Sequence, residues 1–140
     1  MLRRFPLLAS LSVLAFGAGA VDAHAEIVRL HGRFVAEHGA TEVVKGGVKA
    51  TLDTSSDTLK YRIHYSGLSG AVMVAHLHGP ADEGQDAGVL VPIPGPYVGH
   101  LKGTLTLTPD QVKDVLDGKT YVNLHTAEHK DGEARAQLVH

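Results

Sequence analysis

The stretch VKATLDTSSDTLKYRIHY, residues 48–65, decides the fold. Val48, Ala50 and Leu52 alternate with Lys49, Thr51 and Asp53. Leu59, Tyr61, Ile63 and Tyr65 alternate with Thr58, Lys60, Arg62 and His64. A period of two puts each apolar set on one face of an extended strand. Between the two runs, Thr54-Ser55-Ser56-Asp57 is a cluster of turn formers. The pattern predicts a β-hairpin with one wet face and one face that must be covered by a second layer.

The same alternation recurs on both sides. Val28, Leu30, Phe34 and Ala36 alternate with Arg29, His31 and Arg33, which predicts a first strand. Glu37 to Gly47 is polar and Gly-rich and reads as a loop. Ala71 to His78 is a further strand, followed by a long Gly/Pro stretch from Gly79 to Gly99 with a short strand at Val89–Ile93. Leu101, Gly103, Leu105 and Leu107 mark another strand, and Tyr121–Thr126 and Ala134–Val139 close the set. One helix is expected from Pro109 to about Asp117. Thr108 can cap it, Pro109 suits its first position, Gln111 can complete a capping box, and Gly118 ends it. About seven short strands at even spacing predict an all-β sandwich or barrel.

Composition limits the chemistry. The chain of 140 residues suits one domain and holds no cysteine, which excludes disulfides, thiolate metal sites and a catalytic thiol. Ten histidines make imidazole the abundant borderline-soft ligand. Residues 1–25 read as an export signal: Arg3 and Arg4, an apolar run from Leu7 to Ala20, and Ala23-His24-Ala25 before Glu26. Residues 26–140 then form the mature domain, periplasmic or secreted, with no membrane attachment after cleavage. It carries 11 basic and 14 acidic side chains, net −3, with no basic run, which argues against a nucleic-acid partner. No nucleophile triad, phosphate loop or paired-carboxylate site stands out.

The histidines are placed suggestively. His76 and His78 are two apart on one strand, so both rings leave the same face, roughly 7 Å apart at the backbone. His125 lies off the apolar face made by Val122 and Leu124. Arg135 and Gln137 share a face opposite Ala136 and Leu138. His64 sits on a polar strand face with Lys60 and Arg62. His31, His38, His129 and His140 read as solvated, and His24 matters only if cleavage leaves it at the amino terminus.

Several motifs in order make the chain resemble the CHRD domain, a module of chordin and of secreted bacterial proteins. They are Tyr61-Arg62-Ile63-His64-Tyr65-Ser66-Gly67-Leu68-Ser69-Gly70, Ala75-His76-Leu77-His78-Gly79-Pro80-Ala81, Gly103-Thr104-Leu105-Thr106-Leu107-Thr108, Tyr121-Val122-Asn123-Leu124-His125-Thr126 and Gly132-Glu133-Ala134-Arg135-Ala136-Gln137-Leu138. The resemblance implies an Ig-like or superoxide-dismutase-like Greek-key sandwich with one short helix. A weaker resemblance is to copper/zinc superoxide dismutases. It implies His76 and His78 as a ligand pair, His125 as a late ligand, His100 as a further copper ligand, and Arg135 as the cation that guides the anion. The fourth position stays open between His100, His64 and the amino terminus. Without a disulfide or an evident histidine–aspartate zinc set, a single copper ion fits the ligands better than zinc. Three functions follow as alternatives: superoxide-dismutase-like redox activity on superoxide or another small anion, copper binding and buffering without turnover, and a metal-free extracellular interaction module.

Overall fold

The structure is a computed structural model, and it describes residues 24–140. The export segment expected over residues 1–25 therefore lies almost wholly outside the described residues. Two antiparallel sheets face each other. One holds β1 (Ile27–Arg33), β3 (Lys45–Asp53), β4 (Thr58–Ser66) and β7 (His100–Thr106), in the order β1-β3-β4-β7. The other holds β2 (Val35–Ala36), β5 (Val72–His78), β6 (Val89–Ile93), β8 (Tyr121–Thr126) and β9 (Ala134–Gln137), in the order β2-β9-β8-β5-β6. β4 and β7 pair although β5 and β6 intervene in the chain and sit in the opposite sheet, the kind of crossover a Greek-key sandwich requires. Among the described residues no helix is long and apolar enough to cross a membrane.

The hairpin is β3–β4, with Leu52 opposite Leu59 and Ala50 opposite Tyr61. Those residues are buried and meet Ala75, Leu77, Val122 and Leu124 of the other sheet. A fully buried leucine such as Leu52 or Leu77 contributes about 2 kcal/mol relative to exposure. The helix α1 (Pro109–Leu116) has the expected capping box between Thr108 and Gln111, and it buries Val112 and Val115 against the core. Gly118, at φ 70°, ends it in the left-handed region.

Two expectations shift. The predicted first strand is two: β1 joins one sheet, Phe34 turns into the core, and β2 joins the other. β3 also begins earlier than the Gly-rich loop suggested. Gly46 and Gly47 lie within it as glycines, since a Cβ at either would collide with a neighbouring carbonyl, that of His64 or of Gly32.

Candidate metal centre

The core face of β5 is set by Val72, Ala75 and Leu77, which sends His76 and His78 to the outer face of the five-stranded sheet. β8 pairs antiparallel with β5, with Tyr121 opposite His78, Asn123 opposite His76 and His125 opposite Val74. His125 is therefore the diagonal neighbour of His76, within reach of a long side chain. His76 Nδ1 and His125 Nε2 are 3.3 Å apart. The ring centroids of His76 and His78 are 5.5 Å apart, and those of His78 and His125 6.1 Å. One donor nitrogen from each of the three rings lies within 4.8 Å of the other two.

Backbone carbonyls orient two of the rings. His78 Nδ1 is 2.9 Å from the Ala87 oxygen and His125 Nδ1 is 2.8 Å from the Lys130 oxygen. A carbonyl only accepts, so each Nδ1 carries the proton and each Nε2 keeps its lone pair. This is the outer arrangement that metal-binding imidazoles use. His78 Nε2 is buried and has no hydrogen-bond partner among the described residues. Burial, then repulsion from His125 and His78, holds His76 below the ordinary histidine range. Burial also holds His78 low, against the opposing pull of the Ala87 hydrogen bond, with His125 and Arg135 adding repulsion. Rings that stay neutral are rings that can ligate.

The other expected site residues fall elsewhere. His100 does not join the cluster. Leu101 and Leu105 turn inward, so His100 faces out from the four-stranded sheet, opposite His64, on the far side of the sandwich. The sequence order of strands does not reveal which sheet each one enters, so the order of the motifs alone does not place His100 relative to the other histidines. The same position removes His64.

Arg135, which the resemblance implies as the cation that guides the anion, is buried with its guanidinium engaged by the fold. It is 4 % exposed. Nη1 donates to the Gln85 carbonyl at 2.6 Å, and Nη2 donates to the Asp82 carbonyl at 3.0 Å and to Gln137 Oε1 at 2.7 Å. Its Cζ lies 3.5 Å from the centroid of Tyr121. Tyr121 in turn stacks on His78, with centroids 5.0 Å apart and planes 9° from parallel. Arg135 thus ties down the loop over residues 79–88, the loop that brings the Ala87 carbonyl to His78.

Some participants were not foreseen. Asn123 is 2 % exposed, opposite His76, and donates through Nδ2 to Glu37 Oε2. Its only sequence signal was a polar residue between two apolar positions in a strand. Glu133 is fully buried and accepts from the Ser69 amide, the Ser69 hydroxyl and the Thr126 hydroxyl, each at 2.6 Å. Burial pushes that carboxyl up, and the hydrogen bonds from Ser69 and Thr126 together outweigh it and hold it below the carboxylate range. A cavity of about 310 Å³ opens beside the rings, lined among others by His78, His125, Asn123, Lys130 and His38.

A model of the CHRD domain family matches residues 28–138. No curated protein and no solved structure matches the chain.

Proposed function

The chain belongs to the CHRD domain family, and from that premise we propose that it is an exported copper-binding domain whose site exchanges single electrons with superoxide. The observation that carries the copper reading is the triad itself. His76, His78 and His125 offer three donors within 4.8 Å, two of them fixed as Nε2 ligands by backbone carbonyls, one of them buried and unpartnered. An all-imidazole set suits copper, which tops the divalent affinity order. Copper held there would supply a one-electron couple: one superoxide is oxidised to dioxygen, the next is reduced and takes two protons to give hydrogen peroxide. The half-buried rings leave the cavity side open for a small anion. Lys130, exposed at that cavity, is the cation placed to draw the anion inward. Export is supported by Arg3, Arg4, the Leu7–Ala20 run and the Ala23-His24-Ala25 site.

Copper storage without turnover is the second reading. It is favoured by the engagement of Arg135 with Gln85, Asp82 and Gln137, and by Asp86 and Asp131 at the cavity, which repel an anion. Metal analysis after Cu(II) loading, followed by superoxide decay on the same sample, separates them. One copper per chain, lost in the His76→Ala, His78→Ala double variant, is expected. Tight one-equivalent binding by that variant would sink the site assignment. Full copper loading with no decay above the background of free copper would leave storage as the function.

A further inference from the structure

The outer face of the four-stranded sheet gathers the positive charge of the domain, and the copper reading does not use it. Seven basic side chains lie in β1, β3, β4 and β7, all exposed, against one carboxylate, Asp53. That leaves four of the 11 basic and 13 of the 14 acidic side chains for the rest of residues 26–140. Register lines the cations up. His31, Lys49, Arg62 and Lys102 stand opposite one another on successive strands. Arg33, His64 and His100 occupy the next row, with Gly47 between Arg33 and His64. Neighbours in a row are about 4.8 Å apart and the rows about 7 Å apart. Like charges directly opposite one another destabilise a sheet. Among the described residues none of the seven cations pairs with a carboxylate. The row therefore works against the stability of the sheet that carries it.

The shape of the face narrows the partner. A cleft of about 580 Å³ lies at the edge strand β7, lined by Arg62, His64, His100 and Lys102 from the sheet and by Pro94, Pro96 and Val98 from the loop before β7. A shallower hollow of about 290 Å³, lined by His31, Arg33, Lys49 and His64 among others, continues the track towards β1. Cations and an exposed apolar wall, with Val98 63 % exposed, are thus side by side. A sheet twists by about 20–25° per strand, so a planar bilayer meets only part of the face, whereas a flexible linear chain can follow all of it. Stacking of nucleic-acid bases needs exposed aromatic rings, and the rings of these strands, Tyr61 and Tyr65, pack against the core.

We propose that this face binds a linear acidic polysaccharide built of uronic acids. Each sugar unit offers a carboxylate to the cations, which Arg62 can accept with two parallel hydrogen bonds, and an apolar ring face to Pro94, Pro96 and Val98. The cleft holds one unit, and the rows of cations guide the chain on either side of it.

The copper-ligating histidines lie on the opposite sheet, so the test uses the metal-free mature chain and its failure leaves the copper reading untouched. Polygalacturonate is the probe, and its affinity is measured by titration calorimetry at low and high salt. Binding is expected at low salt and should weaken as salt rises. Arg62→Glu should weaken it at least about ten-fold, since a charged contact is lost. The same variant sets an acid between Lys49 and Lys102 and should melt no lower than wild type. Lys113→Glu, on α1, changes the net charge equally and should leave affinity within about two-fold, because distant charges are screened. No binding by wild type, equal binding by Arg62→Glu, or an equal loss in both variants overturns the site. Tighter binding to phosphatidylglycerol vesicles or to oligo(dT) at the same salt overturns the polysaccharide as its occupant.

Discussion

Replacing Arg135 by methionine keeps the length of the side chain and removes its donors. The structure allows the loss to be sized. Three hydrogen bonds, at 2.6, 3.0 and 2.7 Å, and the stacking of Cζ 3.5 Å over Tyr121 disappear together. A hydrogen bond from a charged donor is worth about 1.5–3 kcal/mol, and a desolvated cation–π contact about 2 kcal/mol. Those values do not add. The Asp82 and Gln85 carbonyls lie in an exposed loop where water replaces the lost donor, and removing a buried cation recovers part of its desolvation cost. About 3 kcal/mol remains, which for a domain of this size lowers the melting temperature by about 10 °C. Urea and thermal unfolding of the metal-free protein measure it. Copper affinity should fall only modestly, through loosening of the loop that orients His78. The anchoring role is refuted if Arg135→Met melts within about 2 °C of wild type while its superoxide decay, at equal copper loading, is slower than wild type at low salt and equal to it at high salt. That outcome would make Arg135 a steering cation instead of an anchor.

Other outcomes follow from the same geometry. His76 and His78 are held below the ordinary histidine value, chiefly by burial, so the unfolded chain takes up protons first as pH falls. The metal-free domain should therefore lose stability as pH drops below about 6.5. The urea midpoint should track this, and an equally steep loss in the His76→Ala, His78→Ala variant would place the titration elsewhere. Glu133→Gln should cost about 2 kcal/mol in urea unfolding at neutral pH, since the buried carboxylate accepts three hydrogen bonds. Because its folded value is lowered, that stabilisation is present above the ordinary carboxylate range and lost as pH falls through the folded value, so the variant and wild type should converge in acid. His100→Ala should leave copper stoichiometry unchanged by metal analysis, and a lost equivalent would return His100 to the ligand set. Thr108→Ala should cost about 1 kcal/mol by urea unfolding through loss of the helix cap, and no change would remove the capping argument.

Sequence by itself determined whatever depends on neighbours along the chain. The alternation over residues 48–65 fixes which side of β3 and β4 is apolar. Thr108, Pro109, Gln111 and Gly118 bound the helix. The spacing of His76 and His78 puts both rings on one face whatever lies beneath. Only the tertiary structure decided what stands beside those rings. The register of β8 on β5 makes His125 diagonal to His76, and the sheet that β7 joins sends His100 to the opposite surface. The loop over residues 79–88 turns Arg135 from an outward strand residue into a buried anchor. Glu37 and His38 reach Asp86 and Asn123 from far away in sequence. The covalent chain repeats its geometry every two or four residues, so faces can be read locally. Register, sheet membership and loop cover are selected by burial of the whole core, a sum over distant contacts that no short window contains.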